Sequence, residues 1–163
     1  FRPSVDAGLH RPDVPARGSL IGRHPGMGTV TVTRDLAHKM KHTVRVRQHA
    51  LAADEPAANG GEDLGVTPHE LYDSALGACK AMTVLWYANR KQIPVAGIEV
   101  TVERDDSQER KGVYRLRATL ALTGPLTEAQ RQELLAVAGR CPVHKLMTEV
   151  TTEVQTVLAP ASV

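Results

Sequence analysis

The chain has 163 residues, enough for one domain with a core of its own. At 42% apolar and 23% charged it has an ordinary globular composition, and its 20 basic and 18 acidic residues are interspersed, which argues against a nucleic-acid face. No apolar run is long enough to span a bilayer and no signal-peptide core stands out, so the expected setting is cytoplasmic, with no membrane partner.

Residues 1–27 carry Pro3, Pro12, Pro15 and Pro25 among several glycines and read as an N-terminal arm or flexible segment. Gly28 to Arg34 is rich in β-branched residues and predicts a strand. His42 to Arg47 alternates as a second, and Gln48 to Leu51 extends it or forms a short third. Asp54 to Val66 is a loop with backbone positions that need glycine. Gly60 and Gly61 lack a following Gly-Lys-Ser/Thr, so they are turn glycines and not a phosphate cradle.

Thr67-Pro68-His69-Glu70 is a capping box with proline at the first helical position. The helix it opens runs to about Arg90 and is apolar nearly all round from Ser74 to Ala88, which predicts a buried central helix. Ile98 to Glu103 and Val113 to Leu122 predict an antiparallel hairpin. Thr127 to Gln130 is a second capping box, opening an amphipathic helix with Leu134, Leu135 and Ala138 inward. Cys141-Pro142 ends that helix and starts another turn, and Thr148 to Leu158 predicts a last strand. The order of elements is that of an α+β domain.

Two cysteines in a chain of this size are no disulfide scaffold, and no CxxC pair suggests zinc. Each is either a core thiol or half of a redox pair. Cys79 lies mid-helix, and at 100° per residue its face carries Tyr72, Leu76, Met82 and Trp86, the walls of a pocket for an apolar substrate. An apolar setting raises a thiol pKa, so a reactive Cys79 needs a cation nearby. Cys141 stands where helix-start amides favour a thiolate, with His144 three residues on. Cys-x-x-His is also half a metal site, without a second pair of ligands. His49 is expected to face a dimer interface or solvent.

The run Asp54-Glu55-Pro56, Gly60-Gly61, Asp63, Gly65, Thr67-Pro68, Glu70-Leu71 and Ala75-Leu76-Gly77-Ala78-Cys79 resembles the OsmC/Ohr family, in its OsmC-like branch. So do Tyr87-Ala88, Arg90-Lys91 and Pro94, and Arg140-Cys141-Pro142-Val143-His144 is similar to the family's second cysteine motif. The likeness covers about residues 28–158, within a single domain at 28–163.

The resemblance implies an intertwined homodimer whose long buried central helices are wrapped by antiparallel β-sheets. It implies a thiol-dependent hydroperoxide reductase with Cys79 peroxidatic and Cys141 resolving, no metal or organic cofactor, and a dithiol reductant of the lipoyl type. A sulfenic acid at Cys79 is the reversible state that a second thiol converts to a disulfide. The family's thiolate-stabilising arginine maps best onto Arg34, with Arg45 and Arg47 as alternatives. Its glutamate, ten residues before the first cysteine, is replaced here by His69, and Glu70 follows. Glu70 is then either the arginine's orienter or only a helix cap. Nine residues of straight helix rise about 13 Å and turn by about 180°, so a catalytic Glu70 would act on the partner's site or through a longer network. Two other readings stand beside the peroxidase: a non-catalytic module holding a small hydrophobic ligand, and a structural protein with core cysteines.

Overall fold

The computed structural model describes residues 28–161. The expected arm at 1–27 lies outside the described residues. Three strands, β1 (Val30–Arg34), β2 (His42–Val46) and β3 (His49–Ala53), form an antiparallel meander in that order. Arg47, at φ 54°, reverses the chain tightly between β2 and β3. β1 is exposed along its whole length. Its β-branched residues make it a strand, but among the described residues no layer covers its face.

The loop after β3 is organised by one buried carboxylate. Asp54 is 2% exposed and accepts from the amides of Glu55, Glu62 and Leu64 at 2.9, 3.1 and 3.1 Å. A Cβ on Gly61 would sit 1.8 Å from the Glu55 carbonyl oxygen, so only glycine fits there.

α1 (Pro68–Lys91) starts at the predicted box: Glu70 N donates to Thr67 Oγ1 at 3.2 Å, and Thr67 N donates to the Glu70 carboxylate at 2.7 Å. Gln92, left-handed at φ 55°, ends it. β4 (Gly97–Asp105) and β5 (Arg115–Thr123) pair antiparallel from Gly97–Thr123 to Asp105–Arg115, the predicted hairpin. α2 (Glu128–Ala138) opens on the second capping box, and α3 (Pro142–Thr148) follows with Cys141 as its N-cap.

The core lies where α1 meets α2 and the hairpin. Val84, Ala88, Ile93, Leu134 and Ala138 are buried there, with Ile98, Leu120 and Leu122 against them. Gly77 lets β4 approach α1: a Cβ on it would lie 3.2 Å from Val102 Cγ2. The ion pair between Arg104 and Asp73, at 3.2 Å, and the bond from the Tyr114 hydroxyl to the same carboxylate, at 2.8 Å, tie the far end of the hairpin to α1.

One expectation needs correction. The predicted strand at 148–158 is absent: Thr148 closes α3, and residues 149–161 have no regular structure. Val154 is 83% exposed and Leu158 98%. Alternation marks a segment able to pair, but a strand needs an edge to pair with, and among the described residues none receives it. Within the single chain α1 is covered on one side. Its buried positions, Asp73, Leu76, Gly77, Lys80, Val84 and Ala88, share one face, while Met82 and Trp86 are 69% and 61% exposed.

Burial alone would push the Asp54 carboxyl up, but the amides of Leu64, Glu55 and Glu62 outweigh it and hold it below its ordinary value. The unfolded carboxyl binds its proton at higher pH than the folded one. Its contribution is therefore in place above the unfolded pKa, about 4, and is lost as pH falls through the lower folded value. In thermal melts between about pH 4 and 2, Asp54→Asn is expected to lose stability less steeply than the parent chain.

Candidate functional site

Cys79 and Cys141, 62 residues apart, meet at the first turn of α3. The first amides of a helix have no intrahelical partners, which is why proline is tolerated at its first position, and both sulfurs use the two amides that follow. The Val143 amide donates to Cys79 Sγ and the His144 amide to Cys141 Sγ, each at 3.4 Å. Both thiols are free.

Their surroundings differ. Cys141 is fully buried, whereas Cys79 is partly exposed. Burial pushes the Cys141 thiol up, and Cys79 pushes it in the same direction, while the His144 amide and the Lys80 charge oppose them. The buried sulfur is therefore held as a thiol. The accessible sulfur beside it is the one a reagent can reach.

Lys80 is the cation at this place. It is 6% exposed, and its Nζ donates to the Ala138 carbonyl at 2.9 Å and lies 3.2 Å from His144 Nδ1. Sequence reasoning missed it. The available signal was its isolation, as the lone charged residue between Asp73 and Arg90 in an otherwise apolar stretch. His144 also lines a cleft of about 640 Å³ with Tyr72, Leu76, Tyr114, Leu116 and Met147. Tyr72 and Leu76 were expected pocket walls. Met82 stands on the exposed side of α1, as does Trp86, which stacks with Arg90 at 4.9 Å.

The other expected site residues lie elsewhere in the single chain. Arg34 ends the exposed strand β1, with Arg45 and Arg47 in the same hairpin region. Among the described residues, none of the three takes part in an ion pair. The Glu70 carboxylate is held by the Thr67 amide, which keeps it below its usual range. His69 pairs with Glu109 at 2.9 Å, and that bond pushes its pKa up. His49 is exposed. Among the described residues no group of three or more His, Cys, Asp or Glu side chains could hold a metal. No helix among them is long and apolar enough to cross a membrane.

The unequal access of the two sulfurs has a direct readout. A bulky maleimide applied briefly to the reduced, folded protein is expected to label Cys79 well before Cys141, as peptide mass spectrometry would report. Equal labelling, or Cys141 first, would contradict this arrangement.

The OsmC family model, described as OsmC-like protein, matches residues 60–156, a span holding both cysteines. Solved structures share the fold. An OsmC-like protein from Mycoplasma pneumoniae is 21% identical, with 78% of this chain and 91% of that one covered at a TM-score of 0.63. An organic hydroperoxide resistance protein OsmC from Legionella pneumophila is 19% identical, with 78% and 93% covered at 0.58. The organic hydroperoxide resistance protein OhrB of Bacillus subtilis is 23% identical, with 76% and 91% covered at 0.52. No curated protein sequence matches. Two cysteine motifs in order, the capped helix that carries the first, the hairpin packed on it and a family match across most of the described chain lead to one conclusion: the chain belongs to the OsmC-like protein family.

Proposed function

We propose that the protein is a thiol peroxidase that reduces organic hydroperoxides at Cys79. The observation that carries this reading is one accessible and one buried thiol sharing successive amides of a single helical turn. The Cys79 thiolate attacks the terminal peroxide oxygen, the O–O bond breaks, and the alkoxide leaves and takes a proton. The product is a sulfenic acid. Cys141 attacks that sulfur, water leaves, and the Cys79–Cys141 disulfide forms. A dithiol reductant, possessing the two electrons this cycle consumes, restores both thiols. Two of the structural neighbours are named for organic hydroperoxide resistance, which supports the substrate class. The cleft beside His144, with Tyr72 and Leu76 in its wall, suits a hydrocarbon tail.

In this proposal the working unit is a homodimer. The exposed side of α1 presents Met82 and Trp86, β1 is uncovered, and residues 149–161 are without regular structure and carry exposed Val154, Val157 and Leu158. Apolar surface of this extent is commonly buried against another chain. A partner seated on α1 would enclose Met82 and Trp86, the remaining proposed pocket residues. Arg34 would reach a sulfur from the partner's sheet, and Glu70, beyond its capping role, would serve the partner's arginine.

Mixing reduced protein with an organic hydroperoxide is expected to yield one intramolecular disulfide, a loss of 2 Da by mass spectrometry. Cys79→Ser should abolish turnover with a dithiol, and Cys141→Ser should leave a sulfenic acid that dimedone traps. Thiols inert to peroxide, with an apolar ligand retained through purification, would instead favour the binding-module reading that the cleft also permits. In sedimentation, the parent chain is expected to run as a dimer and Trp86→Glu as a monomer at micromolar concentration.

A further inference from the structure

The clearest group without an assigned role is the buried ammonium of Lys80. Its neighbours come from four elements. α1 supplies Lys80 itself, one residue after Cys79. α2 ends beside it with the Ala138 carbonyl, and α3 brings the His144 imidazole and the two sulfur-binding amides. β5 lines the same small cleft with Leu116, Ala118 and Leu120. None of these faces offers a carboxylate, and Lys80 joins no ion pair among the described residues. Arg140 and Lys145, the charged residues flanking Cys141 and His144, are exposed, and Asp73, two turns before Lys80 on α1, is taken by Arg104 and Tyr114.

A buried cation is costly unless an anion compensates it. The anion this neighbourhood can generate is a thiolate, at Cys79 first and at Cys141 when it attacks. We propose that Lys80 is the positioning residue of the two-thiol site: it supplies from within the subunit the positive charge that steadies the sulfur anions, and it holds His144 as a neutral imidazole with its proton on Nε2. The second part follows from donor counting. An ammonium has three donors and no acceptor, so at 3.2 Å from Lys80 the Nδ1 atom must accept. The proton then resides on Nε2, and the ring that carries it lines the larger cleft with Tyr72 and Leu76. A ligand with an apolar tail and an oxygen acceptor suits that lining, as a hydroperoxide or its alcohol product does. The Lys80 charge also lies on the lowering side for Cys141, against burial. This inference deepens the peroxidase reading and rests on its two-thiol site.

The test uses thiol chemistry without peroxide, so its result is independent of turnover. Alkylation of the accessible Cys79 by iodoacetamide is followed from pH 5 to 10 in the parent, Lys80→Met and Lys80→Arg chains, with circular dichroism to confirm folding. In Lys80→Met the alkylation curve is expected to move up by about one pH unit, making reaction near neutrality about tenfold slower. Lys80→Arg should restore most of the loss, which a filler of space alone would not do. A folded Lys80→Met with the parent curve overturns the proposal. Should Lys80→Met not fold, nitrogen NMR of histidine-labelled parent protein, assigned with His144→Gln, decides: Nδ1 bare and Nε2 protonated is expected, and a proton on Nδ1 overturns it. A Lys80-dependent alkylation curve in a protein that never forms a disulfide with hydroperoxide would remove the peroxidase reading and leave the Lys80 assignment standing.

Discussion

The docking of α3's first turn against the middle of α1 is the contact on which the site depends. The start of α3 leaves its first amides unpaired within the helix, and each unpaired amide in a partly buried place needs an acceptor. Two sulfurs serve, one local and one from a helix 62 residues earlier. The same contact brings the Ala138 carbonyl and the His144 ring to Lys80, so that helix packing, amide satisfaction and the placing of charge occur together.

The rest of the fold holds those helices in place. Leu134 and Ala138 of α2 bury themselves against Val84 and Ala88 of α1, which brings the end of α2 to Lys80. On the hairpin side, Gly77 admits Val102 closely, and Asp73, Arg104 and Tyr114 close a polar network beyond it. The N-terminal meander contributes less to this core. Asp54 joins it to α1 by gathering the amides of its own loop, and its strands leave wide surface uncovered.

Local chemistry was legible. Both capping boxes formed as spelled out, because their bonds are made within four residues and owe little to the rest of the chain. The β4–β5 hairpin followed its alternation, and Cys141-Pro142 opened a helix as proline at a first helical position does. The segment after Thr148 was misread because alternation describes a capacity to pair and carries no information on whether an edge is present. The apolar circumference of α1 was legible as well, and one chain covers one side of it.

By itself the sequence determined where helices begin, which stretches alternate, that two thiols stand in separate motifs and that one lysine interrupts an apolar helix. These are features of neighbouring residues, and neighbouring residues decide caps, turns and strand character. Only the tertiary structure decided that Cys79 is accessible and Cys141 buried, that both sulfurs share one turn, and that Lys80 points inward to His144 while Arg34 stays on an exposed strand. Burial and the meeting of distant groups are properties of packed elements, and packing is set by which faces the whole chain brings together.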